Sequence, residues 1–298
     1  MHSNTKTKEI DVSILIRTKD EEKYIKTVLD SVFSQSFKNF EVIVVDGGST
    51  DKTLEITRGY PVKVLEIKPN DFTFGYSLNL GFQHTAGKYI ASLSGHASPL
   101  SEDWLEIAIS NFSDHNIAAV MCRTLPWPDC NPFDRRGLLK KYSIPKQVFA
   151  KGPPFIFSNS SSVIRKTVWE KIHFDETLTA SEDEDWAEKA RKLNYKIIFE
   201  PSAKVYHSHN WTLKQICRRA YNEELSIVQR APEEPALKPC TLTSLFFYDL
   251  FAGSVYDMFN VLIKRDGLKW FFYAPLRRLA IAYGKFSCFI NKSNSHSQ

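Results

Sequence analysis

Carboxylates are concentrated between Ser181 and Trp186, where the sequence reads S-E-D-E-D-W. A carboxylate can take a proton from a hydroxyl that attacks a carbon atom, which is general-base catalysis. Neighbouring acids repel one another's charge, and this moves the pKa of a base toward neutral pH. The alternative is a solvated helix N-terminus, where the macrodipole favours acids. Glu182 and Asp183 are therefore candidate catalytic residues.

A second polar group follows a buried apolar run in V-V-D-G-G-S-T-D, from Val44 to Asp51. A carboxylate just past the end of a parallel strand lies where open α/β sheets bind ligands. Glycines there let the backbone approach a ligand closely. The alternative is a plain strand-to-helix turn in which Asp51 caps the helix. Asp46 is the candidate ligand-binding residue of this motif.

Histidine and arginine form a third group, in Y-H-S-H-N and Q-I-C-R-R. His207 and His209 are two residues apart and face the same side of a strand. Such a pair can bind a metal, although paired histidines are more often hydrogen-bonded structural groups. Arg218 can hold a phosphate through its planar guanidinium, and a basic surface patch is the alternative.

These motifs, taken in order, resemble those of family 2 glycosyltransferases. V-V-D-G-G-S-T-D resembles the family's V-V-D-D-G-S-T-D, and F-D-E-T-L followed by E-D-E-D-W resembles F-D-E-x-L and E-D-x-D-L. Q-I-C-R-R resembles Q-x-x-R-W of processive members, and F-T-F-G-Y is similar to bacterial rhamnosyltransferase-like members. The resemblance spans roughly residues 11–222. It implies a GT-A fold and inverting transfer of a sugar from a nucleoside-diphosphate sugar to a hydroxyl.

The resemblance also implies roles for single residues. Asp46 accepts a hydrogen bond from the nucleotide base, and Thr18 lines the same pocket. Asn79 falls where the family has a polar contact near the donor, with an amphipathic helix as the alternative. Asp183 becomes the candidate base, and Glu182 supports it.

The sharpest departure from the family lies at its D-x-D position, whose acids hold a divalent metal. Ser94 and His96 occupy the two acidic positions here, whereas Mg²⁺ and Mn²⁺ favour oxygen ligands. Three alternatives stay open: His96 binds Mn²⁺, with His207 nearby; His96 donates directly to a diphosphate oxygen; or the site is inactive. The last of these would make the chain a non-catalytic nucleotide- or glycan-binding protein.

The elements that must position these residues alternate along the chain. Short runs of branched residues predict buried strands, and helical spacing predicts helices between them. This alternation indicates βαβ units, and therefore an α/β fold with a mainly parallel sheet flanked by helices. Prolines in 126–154 predict a long loop, and those in 230–239 predict a linker. The predicted domains are a GT-A domain at 9–230 and a C-terminal helical region at 231–298.

Composition excludes several other classes. The 298 residues carry five cysteines, none of them spaced C-x-x-C, so a disulfide framework or structural zinc site is not expected. No apolar leader and no stretch long enough to span a bilayer is visible, which predicts a cytoplasmic protein. No G-x-G-x-x-G follows the first strand, which argues against a dinucleotide oxidoreductase. Nucleic-acid binding is not expected, because the positive charge lies outside the α/β part.

That charge lies in the tail. Residues 240–298 have seven Lys and Arg against three Asp, a net charge of +4 out of +5 for the chain, and thirteen aromatic residues. Trp270–Tyr273, followed by Arg277 and Arg278, suits a helix lying on the inner face of the cell membrane, near a lipid-linked glycan acceptor. Packing onto the α/β domain or a homodimer contact is the alternative. Pro275 is expected to break or restart this helix.

Overall fold

The computed structural model describes residues 10–150, 157–230 and 239–295, and these form two compact units. The first unit comprises the chain up to Trp127 together with 138–177 and 182–208. The second comprises 128–137, 178–181 and the chain from His209 onward. The predicted linker lies mostly in 231–238, outside the described residues, and a functional division at residue 230 stays a prediction.

The strands of the first unit are β1 Val12–Thr18, β2 Phe40–Asp46, β3 Lys63–Glu66, β4 Tyr89–Ser94, β5 Ser98–Pro99, β6 Ile117–Leu125, β7 Gln147–Phe149, β8 Ser161–Arg165 and β9 Lys196–Tyr206. Within the described residues they form one nine-stranded sheet, in the order β3-β2-β1-β4-β8-β6-β9-β5, with β7 also paired to β9. The strands β3, β2, β1 and β4 run parallel to one another, while β8 is antiparallel to both β4 and β6.

The predicted α/β fold class is confirmed, and the sheet is mixed rather than mainly parallel on its β8 side. The chain returns to the sheet after β6 through the segment predicted as a long loop. That segment contains helix α5 (Pro132–Lys141) and strand β7, and residues 151–156 lie outside the described chain. Strand β9 pairs with β6 across two register shifts.

The remaining helices of the described chain flank the sheet or form the second unit. Those of the first unit are α1 Ile25–Phe33, α2 Thr53–Arg58, α3 Phe74–Gln83, α4 Trp104–Ile109, α6 Lys166–Trp169 and α7 Glu182–Lys192. Those of the second are α8 Leu213–Arg230, α9 Pro239–Lys264 and α10 Leu268–Ser295.

Apolar side chains fill both faces of the sheet. One cluster includes Trp104 of α4, and the other includes Phe82 of α3 and Trp186 of α7. Trp186 is fully buried, and its indole nitrogen donates to the Ile172 carbonyl at 2.7 Å. Losing a buried side chain of this size typically costs about 3–5 kcal/mol. The burial of Trp186 therefore holds the first turn of α7, which carries Glu182 and Asp183, against the sheet.

The second unit is held by close helix packing and internal ion pairs. A Cβ on Gly284 of α10 would lie 2.3 Å from the Cys217 carbonyl of α8, so these helices approach at van der Waals distance. Lys285 pairs with Asp249 at 3.0 Å, and Arg278 pairs with Asp257 at 2.7 Å. No helix in the described part of the chain is long and apolar enough to cross a membrane.

The expected break at Pro275 is wrong, because helix α10 continues through this residue. Membrane contact of the tail stays a prediction. Part of the segment expected to make it packs inside the second unit, while Phe272 is exposed. Trp270 and Tyr273 pack against Phe133, and Arg277 lies over the same ring.

Candidate active site

The carboxyl ends of three neighbouring strands bring together the residues that the motifs singled out. Strand β1 lies between β2 and β4, and all three are parallel. Thr18 is in register with Asp46, and Arg17 is in register with Ser94. This is the sheet edge at which open α/β folds bind ligands.

Asp46 is completely buried at the end of β2 and organises the turn after it. Its Oδ1 accepts from the backbone amides of Gly48 and Ser49 at 2.9 and 2.7 Å, and its Oδ2 accepts from the Ser49 hydroxyl at 2.5 Å. Gly48 has φ +84°, a left-handed conformation that favours glycine. Asp46 therefore stabilises the D-G-G-S turn through these hydrogen bonds, in addition to any contact with a ligand.

Thr18 and Gly95 meet at the ends of β1 and β4. The Gly95 amide donates to the Arg17 carbonyl at 2.7 Å, and a Cβ on Gly95 would lie 2.6 Å from Thr18 Oγ1. Only glycine fits at this approach. Thr18 Oγ1 is buried and has no hydrogen-bond partner in the described part of the chain, which makes it an available polar atom at the predicted donor pocket.

Glu182 is buried at the start of α7 and forms an ion pair with Arg17, whose Nη1 lies 3.2 Å from Oε1. Burial raises the pKa of the Glu182 carboxyl to about 7, with a further contribution from the negative charge of Asp183. The positive charge of Arg17 opposes this rise. The two adjacent carboxyls therefore have different environments, and Glu182 titrates near neutral pH.

Asp183 is more accessible than Glu182 and is oriented by the backbone. Its Oδ2 accepts from the Asn159 amide at 3.0 Å, and its Oδ1 accepts from the Glu184 amide at 2.9 Å. Two amide donors stabilise the charged carboxylate and leave it lone pairs for a further proton donor. The geometry is that of a fixed, partly solvated carboxylate suited to accept a proton.

The histidines predicted near the diphosphate are brought together. His96 lies just beyond β4, with its Nδ1 2.5 Å from Glu21 Oε1. Its ring stacks on that of His207, with centroids 4.5 Å apart and planes 16° from parallel. Trp127 donates from its indole nitrogen to the His96 carbonyl at 2.9 Å. The Tyr24 ring lies beside the rings of His96 and Trp127.

This arrangement bears on the predicted metal ligands. One ring nitrogen of His96 and one of His207 lie within 4.8 Å of each other, which is close enough for both imidazoles to contact one ion. Ser94 adds a hydroxyl where the family has a carboxylate, and Glu21 is already hydrogen-bonded to His96. The residues present do not match the oxygen-rich set that Mg²⁺ prefers. The assignment of His96 and His207 as metal ligands stays a prediction.

Asn79 has a different surrounding from the one predicted. Its amide nitrogen donates to the Phe174 carbonyl and to Glu176, at 2.9 and 2.8 Å. Its oxygen accepts from the Trp169 indole and the Phe174 amide, at 3.0 and 3.1 Å. Both hydrogens and both lone pairs are used, so no polar atom is left for a donor sugar. The geometry corrects the prediction and makes Asn79 a structural residue that ties α3 to the segment before α7.

Arg218 belongs to the second unit, where it is exposed on α8. Its neighbour Arg219 pairs with Glu223 at 2.5 Å and lies over the Trp211 ring. The role of Arg218 as a phosphate ligand stays a prediction.

Three residues of this site carried no prediction: Arg17, Glu21 and Trp127. Arg17 precedes Thr18 at the end of β1. A charged residue at the end of a buried apolar strand is the sequence feature that could have identified it. Trp127 stands between two prolines directly after β6, an unusual setting for a large aromatic residue. Glu21 carried no local signal, because its contact with His96 joins residues 75 positions apart.

Comparison with known proteins places this arrangement in a family. The model of the family described as "Glycosyl transferase family 2" matches residues 13–172, more than half of the chain. The chain belongs to glycosyltransferase family 2. This glycosyltransferase is 29% identical over 221 residues to the O-antigen chain rhamnosyltransferase RfbN of Salmonella typhimurium, covering 71% of the chain and 70% of the relative. It is 30% identical over 191 residues to the O-antigen chain rhamnosyltransferase WbaN of Salmonella anatum, with 61% of each chain covered.

Solved structures share the GT-A fold of this glycosyltransferase. The mannosyltransferase PcManGT of Pyrobaculum calidifontis, in complex with GDP-Man and Mn²⁺, aligns with a TM-score of 0.60 at 18% identity, over 98% of this chain and 89% of that one. S. aureus TarS 1-349 in complex with UDP-GlcNAc aligns with a TM-score of 0.53 at 17% identity, over 96% and 92%. At these identities the likeness establishes the fold. The fold class and the enzyme class expected from the sequence are thus confirmed.

Proposed function

We propose that this glycosyltransferase moves a sugar, with inversion, from a nucleoside-diphosphate sugar to a hydroxyl of a glycan or lipid-linked acceptor in the synthesis of a bacterial surface polysaccharide. The observation that carries the proposal is the pair Glu182–Asp183, set at the start of α7 beside the carboxyl end of β1. The O-antigen rhamnosyltransferase activity of the two Salmonella relatives supports this substrate class. The acceptor suggests a cytoplasmic enzyme working at the inner face of the membrane.

In the proposed reaction the acceptor oxygen attacks the anomeric carbon while the bond from that carbon to the diphosphate oxygen breaks. The hydroxyl proton passes to the Asp183 carboxylate, and the nucleoside diphosphate leaves. A positioned general base typically contributes about 10²–10⁴-fold to the rate. Arg17 pairs with Glu182 and so places a positive charge beside the two carboxyls.

Donor binding is proposed at the ends of β1, β2 and β4. Asp46 and Thr18 serve the nucleotide base, and Ser94 and His96 lie on the diphosphate side. The contact between His96 Nδ1 and the Glu21 carboxylate would orient the His96 ring beside the diphosphate. PcManGT is solved with Mn²⁺, and a bound divalent cation would supply charge compensation for the leaving diphosphate. We propose that this chain depends on such a cation only weakly.

The competing hypothesis is a non-catalytic nucleotide- or glycan-binding protein. The ordered Asp183 carboxylate and the raised pKa of Glu182 favour catalysis, because a binding protein has no need of a buried, titrating acid.

A panel of nucleoside-diphosphate sugars tests the proposal. Thermal shift identifies the donors that stabilise the protein, and release of nucleoside diphosphate with a glycan acceptor then measures transfer. We expect one donor class both to stabilise the protein and to turn over, and the new glycosidic bond to have the opposite anomeric configuration to the donor. Stabilisation by a donor without turnover on any lipid-linked or free glycan acceptor would favour the binding protein instead.

A further inference from the structure

Helix α9 has an apolar face that no other described part of the chain covers. Its members recur every three or four residues, which places them on one side of the helix. Each is 55–69% exposed, far more than a packed helix face allows. This α9 face consists of Tyr248, Phe251, Val255, Tyr256, Phe259, Leu262 and Ile263.

The two acids of α9 are both paired with cations of α10. Asp249 receives an ion pair from Lys285 of α10 at 3.0 Å, and Asp257 is held by Arg278 of α10 at 2.7 Å. These are the acids that the α9 sequence contains. The α9 face is therefore free of charge along its length, while the helix's acids are neutralised against α10.

Cations close one end of this face. Lys264, Arg265 and Lys269 lie exposed at and beside the turn between α9 and α10. The one acid of that turn, Asp266, is engaged by Arg136 at 2.6 Å. Leu268 and Phe272 are also exposed there, at 70% and 69%. Exposed apolar side chains thus lie next to three cations, and the acid of the same turn, Asp266, is already paired with Arg136.

We propose that the α9 face and this cationic turn dock on an anionic lipid surface. A helix with one apolar side and basic residues beside it suits the interface of a membrane. A second copy of the chain is a poorer fit, because a two-fold contact through the same face pairs identical surfaces and supplies no acid to Lys264, Arg265 and Lys269. This surface differs from the one expected from the sequence, since Trp270, Tyr273, Arg277 and Arg278 are engaged within the second unit.

Vesicle flotation of the full chain tests whether the cationic turn contributes to membrane binding. The experiment contains no sugar donor or acceptor, so its outcome is independent of sugar transfer. We expect binding to phosphatidylcholine vesicles that contain phosphatidylglycerol, and weaker binding at high salt or to phosphatidylcholine alone. The combined substitutions Lys264→Gln, Arg265→Gln and Lys269→Gln should weaken binding about a hundredfold, about fivefold for each charge. The control Lys38→Gln, Lys63→Gln and Lys68→Gln changes the net charge equally at exposed positions of the first unit and should leave binding unchanged.

The apolar part is tested with Phe251→Ser combined with Phe259→Ser, against Val148→Ser combined with Leu193→Ser. All four side chains are about 60% exposed, so neither pair should unfold the protein, and circular dichroism melting checks this. We expect only the α9 pair to abolish flotation.

Removal of the tail is a poorer test, because α10 packs closely on α8. Failure of the unmodified chain to float with anionic vesicles overturns the proposal. A dimer in light scattering that the α9 pair dissociates would assign the face to a second copy.

Discussion

Arg17 and Glu182, which are 165 residues apart in the sequence, form an ion pair with 3.2 Å between Nη1 and Oε1. Arg17 closes strand β1, and Glu182 opens helix α7 next to Asp183. Arg17 also stacks on the Phe74 ring at 4.7 Å, which restricts the guanidinium. The pair therefore joins the end of strand β1, where donor binding is proposed, to the proposed catalytic base and places a positive charge beside it.

The first prediction concerns the pH dependence of stability. The pKa of Glu182 is raised from 4.5 to about 7 in the folded protein, so the folded state holds the proton more tightly than the unfolded state. The contribution of Glu182 to the free energy of unfolding is therefore fully present below about pH 4.5 and is lost as pH rises through about 7. The loss amounts to about 3 kcal/mol of unfolding free energy. Urea unfolding at about pH 5 and about pH 8 measures it, and Glu182→Gln should lack this component. Arg17→Met should enlarge it, since Arg17 holds the pKa down. Identical pH dependence in the unmodified protein and Glu182→Gln would contradict the raised pKa.

The second prediction concerns the base. Asp183→Asn should lower transfer by about 10²–10⁴-fold, because the amide cannot accept the acceptor's proton. Donor binding, measured by calorimetry, should survive. Glu184→Gln, one position along the same helix turn, serves as the matched control and should retain activity. Near-normal turnover by Asp183→Asn would remove this residue from the mechanism.

The third prediction concerns the nucleotide. Asp46→Ala should weaken nucleotide binding by about 1.5–3 kcal/mol, the contribution of one hydrogen bond to a charged group. Because Asp46 also holds the turn at Gly48 and Ser49, the melting temperature should fall as well. Ser49→Ala removes the hydroxyl that donates to Asp46 and accepts from the Asp20 amide, and it leaves the carboxylate in place. It should therefore reproduce part of the lost stability without the lost affinity. Equal nucleotide affinity in Asp46→Ala and the unmodified enzyme, measured by calorimetry, would refute the base contact.

The fourth prediction concerns Asn79. Asn79→Ala leaves the Trp169 indole and the Phe174 amide buried without partners, and each such group costs about 1–3 kcal/mol. We expect a clear loss of stability in urea unfolding with an unchanged KM for the donor at low temperature. Ser77→Ala, on the same helix but with only a local hydrogen bond, should be milder. A raised donor KM at full stability would restore the donor contact inferred from the family.

The fifth prediction concerns metal. Transfer should change little between EDTA and added Mn²⁺, because Ser94 and His96 replace the acids of the family's metal site. A cation that stabilises the leaving diphosphate contributes several kcal/mol, so its removal from a metal-dependent enzyme is easily seen. Loss of activity in EDTA with recovery on Mn²⁺ addition would show that the two histidines take part in a metal site after all. His207→Ala would then be expected to weaken the Mn²⁺ dependence.

The sequence by itself determined the alternation of strands and helices up to β6, the strand-end positions of Thr18, Asp46 and Ser94, and the placement of Glu182 and Asp183 at a helix start. These follow from local periodicity and from motifs that are contiguous in the chain. Only the tertiary structure decided what each side chain contacts. Asn79 is a structural residue because its hydrogen bonds join segments 90 or more positions apart. The pKa of Glu182 rises to about 7 because folding buries it beside Asp183, and the positive charge of Arg17 opposes this rise. In the tail, composition indicated apolar and basic character, while helix packing decided which of these side chains stay exposed: those of the α9 face do, whereas Trp270 and Tyr273 pack against Phe133.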